Sequence, residues 1–97
     1  MPAGSTTVVN VAEYILARNQ GPMEVTKLHA LVYLSQAWHL SALAKPLFDD
    51  VIEAWAEGPI IPALHALQGG AAEVAPGFFY AKLQLAAEPS TAEEATP

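Results

Sequence analysis

Positions 27–43 read KLHALVYLSQAWHLSAL, and no other stretch constrains the fold as much. Wound as a helix, Leu28, Leu31, Val32, Leu34, Trp38, Leu40 and Leu43 cover most of its circumference. Only a narrow polar strip remains, at His29, Gln36 and His39. A helix apolar nearly all round is normally wrapped by other elements. The stretch therefore predicts a mainly α fold, a small helical domain around one central apolar helix at about 27–43. Leu28, Leu31, Val32 and Trp38 are its expected core. Thr26 is placed to cap this helix, and Pro46 closes it.

The flanking elements follow from punctuation. Asn10-Val11-Ala12-Glu13 fits a capping box, opening a first helix that carries Val11, Tyr14, Ile15 and Leu16 and ends near Gly21-Pro22. Pro46-Leu47-Phe48-Asp49-Asp50 reads as a turn with an apolar plug. Residues 51–56 fit either a short helix or an extended segment, and the alternation of Ile52, Ala54 and Ala56 with Glu53, Trp55 and Glu57 favours a short extended or irregular segment near 51–61. Gly58-Pro59 breaks the chain, and Pro62 suits the first turn of a helix over 62–68 that stops at Gly69-Gly70. Residues 78–85 fit a last helix or a strand. Residues 1–7 read as a disordered N-terminus, 8–87 as a single domain, and 88–97 as a disordered acidic tail.

Charge and composition narrow the function classes. Ten Asp and Glu outweigh four Lys and Arg, for a net charge of −6. Arg18, Lys27, Lys45 and Lys82 form no stripe, so direct binding of nucleic acid or attachment to an anionic membrane lacks the clustered cations it needs. Cysteine is absent, which excludes disulfides, thiol catalysis and Cys-based zinc sites. There is no basic n-region with an apolar run behind it, and no run approaches the ~20 residues of a membrane span. A cytoplasmic protein is expected. Hydrophobic residues reach 53% against 14% charged. That balance leaves apolar surface exposed, and such patches mark contacts.

Catalytic and cofactor motifs are missing. The sequence has no G-x-S-x-G, no H-E-x-x-H and no Gly-rich phosphate loop ending in Lys-Ser/Thr. Ser35 and His39 share a helix face without a third group, and such a serine normally bonds its own backbone. His29, His39 and His65 match no zinc spacing, and Asp49-Asp50 with Glu53 reads as a solvated cap. The expectation is a protein that is not an enzyme and takes no metal or cofactor. Binding is left, and E-A-W-A-E-G-P-I-I-P, at 53–62, is the stretch that core-building does not explain. Trp55 stands there between Glu53 and Glu57 beside two prolines, where both core and surface placements remain open.

Four blocks carry a resemblance: V-A-E-Y-I-L (11–16), T-K-L-H-A-L-V-Y-L-S-Q-A-W-H-L (26–40), K-P-L-F-D (45–49) and E-A-W-A-E-G-P-I-I-P (53–62). In this order and spacing they resemble the Panacea domain, the family of SocA-like antitoxins and phage-associated GepA-like proteins. The resemblance covers about residues 11–65. It implies a cytoplasmic helical antitoxin of a toxin–antitoxin system, neutralising a toxin encoded beside it by direct protein–protein interaction. In the SocA-like branch it also implies delivery to a ClpXP-type protease. Glu53, Trp55, Glu57, Gly58, Pro59 and Pro62 are then the candidate partner-binding residues. The sequence departs from the family at His29-Ala30, where Gln-Lys is common, at Glu57, where Tyr is common, and at His65, where an aromatic is favoured. It is also shorter at its C-terminal end. The competing reading is a non-enzymatic, self-associating or regulatory subunit whose apolar face forms a homodimer.

Overall fold

Thr7 begins the first helix: its Oγ1 accepts a hydrogen bond from the Asn10 N–H at 3.2 Å, the usual service of an N-cap hydroxyl. Helix α1 runs Val8–Asn19 and ends on Gln20 in the left-handed region, φ 63°, whose N–H reaches Leu16 O. The computed structural model describes residues 6–87. The expected disordered ends at 1–5 and 88–97 lie outside the described residues. Thr6 and Thr7 are ordered instead, since the Thr6 N–H also donates to Leu47 O at 3.1 Å. The cap therefore sits three residues before the expected Asn10, and Glu13 is released for another task.

Four helices and two small antiparallel ladders make up the described residues. After α1 come β1 (Met23–Glu24), α2 (Val25–Leu43), β2 (Glu53–Trp55), β3 (Gly58–Ile60), α3 (Pro62–Gln68), β4 (Glu73–Val74) and α4 (Phe78–Ala87). The fold is mainly α, and the segment expected to be extended near 51–61 is the β2–β3 hairpin. Residues 78–85, open between helix and strand, are helical. Pro62 does open α3, and Gly69, φ 59°, closes it. Helix α2 starts at Val25, one residue before the expected Thr26 cap. No side chain caps it, because β1 pairs with β4 (Met23 opposite Val74) and the Val25 N–H continues that ladder to Ala72 O at 3.0 Å.

The centre of the molecule is α1, not the 27–43 helix. α1 packs against α2, α3 and α4, and half of its twelve residues are buried: Val8, Val9, Val11, Ala12, Glu13 and Leu16. α2 buries only Leu28, His29, Val32 and Gln36 of its nineteen. Leu28 and Val32 are core as expected, and Leu31 is half-buried against it. Trp38 is not core: it is 72% exposed. The reason is rotational. Positions 28, 29, 32 and 36 lie on one side of a 3.6-residue helix, facing α1 and β3, which puts 34 and 38 on the opposite side. The large aromatic side chains of the core are Phe48 and Phe79 instead, both wholly buried and each worth about 2–3 kcal/mol of burial. Phe48 is the plug foreseen in the turn after Pro46.

Two polar residues of the expected polar strip, His29 and Gln36, are buried because irregular chain packs on that side. Gln36 donates from Nε2 to Phe48 O (2.8 Å) and accepts at Oε1 from Leu47 N (2.6 Å) and Phe48 N (3.4 Å). The amide thus replaces the ladder partner that this turn lacks, as buried backbone groups require. His39 donates from Nδ1 to Lys45 O at 2.8 Å, fastening the start of the same turn.

Candidate partner-binding surface

The 53–62 stretch folds back on itself over two residues. Glu53 pairs with Ile60, Ala54 with Pro59 and Trp55 with Gly58, leaving Ala56 and Glu57 as the turn. Gly58 takes φ 127°, a conformation side chains rarely adopt, although nothing lies within 4 Å of where a Cβ would stand. Glycine is needed here for its backbone freedom rather than for space. Pro59 lacks an N–H to offer, consistent with a ladder only three residues long.

The hairpin is fastened to the body through His29. The buried Ile61 N–H donates to His29 Nδ1 at 3.0 Å, so the ring proton sits on Nε2, which donates to Gln68 Oε1 at 2.8 Å. One imidazole joins α2, the β3–α3 junction and the last turn of α3. Burial pushes the His29 pKa below the ordinary histidine value; the Gln68 hydrogen bond opposes this and the nearby His65 adds to it. A neutral ring is what the Ile61 N–H requires, because a protonated Nδ1 could not accept.

Trp55 stands at the surface, 42% exposed. Its indole N–H donates to Glu53 Oε1 at 2.8 Å, and its ring meets the edge of His65 with centroids 5.0 Å apart at 60°. These contacts hold a large amphipathic ring at a set angle without burying it. Trp55 also lines two hollows. One, of about 420 Å³, is largely apolar and bounded by Tyr33, Ile52, Glu53, Ala54, Gly58 and Pro59. The other, of about 170 Å³, is bounded by Thr26, His29, Glu57, Ile60, His65 and Gln68.

Five of the six expected binding residues, Glu53, Trp55, Glu57, Gly58 and Pro59, share this hairpin. Pro62 is half-buried one residue beyond it, where it serves as the first residue of α3. Tyr33, Ile52 and His65 belong to the same surface and were not among the binding residues expected from sequence. Tyr33 comes from a different element, and His65 follows Trp55 by ten positions. Glu53 and Glu57 are both exposed, the first holding the indole N–H and the second lining the smaller hollow beside the ring.

Other candidate chemistry disperses. Ser35 donates to Leu31 O at 2.9 Å, within its own helix. Among the described residues no three His, Asp or Glu side chains gather as a metal would require, and no helix is long and apolar enough to cross a membrane. Comparison of the chain with protein-family models, curated proteins and solved structures returns no match.

Proposed function

We propose that this protein is a cytoplasmic antitoxin of the Panacea type, which neutralises a neighbour-encoded toxin by gripping it with the β2–β3 hairpin. The observation that carries the reading is Trp55: a half-exposed indole, oriented by Glu53 and His65, beside a largely apolar hollow and accompanied by the exposed acids Glu53 and Glu57. Hot spots of protein interfaces are built this way, around an aromatic anchor with a polar rim. The net charge of −6 and the flanking Glu53 and Glu57 favour a basic partner face. The four sequence blocks that resemble the Panacea domain supply the class of partner.

Co-expression with the protein of the adjacent reading frame tests this. Wild type restores growth against a toxic neighbour. Trp55→Ala loses at least ~2 kcal/mol of binding while its melting temperature stays within a few degrees of wild type, the range of a surface change. A folded Trp55→Ala protein that rescues growth in full rules out the hairpin as the grip. A neighbour that is harmless on its own rules out the antitoxin role.

A further inference from the structure

We propose that the smaller hollow beside Trp55 is a socket for a side-chain carboxamide, an asparagine or glutamine of the partner protein; the partner rests on the antitoxin reading above, the socket on its own geometry. Hydrogen-bond polarity runs one way into this hollow. The Ile61 N–H donates to His29 Nδ1, so the ring proton is on Nε2 and Gln68 must meet it with Oε1. That fixes which way the Gln68 amide is turned and leaves its NH2 group over. Gln68 is only 8% exposed and lines the hollow, and among the described residues its NH2 donates to nothing. A buried donor left unmade is costly, so the hollow calls for an occupant that brings an acceptor.

The rest of the wall narrows the class. Glu57 also lines the hollow, and among the described residues its exposed carboxylate makes no hydrogen bond or ion pair. Val25, Ile60 and the Trp55 ring supply apolar surface, while His65, with one donor and one acceptor when neutral, favours neither sign. The occupant therefore needs an acceptor for Gln68, a donor for Glu57 and a flat or apolar body for the indole. A carboxylate offers Gln68 its acceptor but sets a like charge against Glu57, on a chain of net charge −6. A guanidinium or ammonium suits Glu57 but carries only donors, leaving Gln68 unmet. A hydroxyl holds both roles on one atom and has no flat face for a ring. A carboxamide has the carbonyl oxygen, the NH2 and the plane.

Size separates a side chain from a free ligand. About 170 Å³ is several times the ~30 Å³ of one water and below the ~300–1,000 Å³ of small-molecule sites. One short side chain fits that space. The socket also adjoins the proposed grip, since Trp55 lines both hollows and a partner seated on the indole reaches either. An uncharged plug leaves Glu53 to the cations of a basic partner face.

Titration of the isotope-labelled full chain with acetamide to about 100 mM, suited to the millimolar affinity of so small a fragment, tests the socket by NMR at the Gln68 side-chain NH2 and the Trp55 indole N–H. Acetamide shifts both signals saturably and binds at least about tenfold more tightly than sodium acetate, guanidinium chloride or ethanol, the worth of one hydrogen bond. Glu57→Lys, at an exposed turn position, reverses the order, because donors then line both walls and acetate outbinds acetamide. Gln68→Glu, which still accepts from His29 but donates nothing, loses acetamide. No saturable shift with acetamide overturns the proposal, as does acetate or guanidinium bound equally well, or an order unchanged in Glu57→Lys. L-glutamine bound at micromolar concentration makes the hollow a free amino-acid site and overturns the protein occupant. The titrations need no neighbour-encoded protein, so the two readings fail separately. Acetamide binding beside a harmless neighbour removes the antitoxin role and keeps the socket, whereas a toxin released by Trp55→Ala without acetamide binding does the reverse.

Discussion

The His29 imidazole is held neutral by two partners of fixed polarity, an N–H that must donate to it and a carbonyl oxygen that must accept from it. Burial lowers its folded pKa below the unfolded value of about 6.5. Between those two values the unfolded chain binds a proton that the folded chain refuses, so stability rises with pH across that window. Unfolding free energy should be level above about pH 7 and fall on acidification below 6.5, by at most ~1.4 kcal/mol per pH unit for one proton. Urea melts from pH 5 to 8 on wild type and His29→Gln check this. The variant loses the His29 share of the slope, while His39 and His65 remain in both proteins. Equal slopes would show that the ring does not couple protonation to folding.

Among the elements, α4 depends on a side chain from the far end of the sequence. The buried Glu13 carboxylate accepts from Gly77 N (2.7 Å), Phe79 N (2.8 Å) and Tyr80 N (3.3 Å), taking amides that a helix start leaves unpaired. An acid at this end is also favoured by the helix dipole. Tyr80 adds a hydroxyl bond to the Asn10 side chain. Glu13→Ala should cost about 2 kcal/mol and speed amide exchange at Phe79 and Tyr80 more than in α2. Uniform exchange across the helices would place the effect elsewhere. Helix α2 offers the opposite experiment at its C-cap, where Ala44 sits at φ 60° with its N–H on Leu40 O. A side chain in this region costs about 1–2 kcal/mol and glycine does not, although glycine loses more entropy on folding. Ala44→Gly should therefore raise stability by about 0.5–1 kcal/mol, read as a higher urea midpoint at unchanged slope.

For the molecule as a whole, charge is unevenly placed. The hairpin carries the exposed acids Glu53 and Glu57 beside an indole, while α2 beyond Lys27 carries no formal charge. Charge at a rim acts on encounter more than on the final contact. The double substitution Glu53→Gln, Glu57→Gln should slow association with a basic partner and flatten its salt dependence, leaving dissociation little changed. Stopped-flow association at about 0.05 and 0.5 M salt, a span over which screening shortens sharply, measures both. An unchanged salt dependence would remove the acids from recognition.

The positions of most elements were legible along the chain because their signals are local. Pro62 and Gly69-Gly70 bound α3 through proline's missing N–H and glycine's free backbone, whereas the break expected at Gly58-Pro59 falls two residues earlier, at Ala56-Glu57, and Gly58-Pro59 opens β3. Leu28, Val32 and the Phe48 plug were recognisable as core by apolarity and spacing. Which side of α2 faces inward was not legible, because apolar residues surround it and periodicity alone sets no direction. That choice fell to the backbone packed against it: the Leu47–Phe48 turn and the Ile61 N–H need polar partners inside, and Gln36 and His29 supply them. Turning those two inward turned Trp38 out. Glu13 tells the same lesson across 64 positions, since a local pattern assigned it to its own helix and the unpaired amides of α4 claimed it. Local stereochemistry is written in neighbouring residues, whereas the satisfaction of buried polar groups is settled only when distant segments meet.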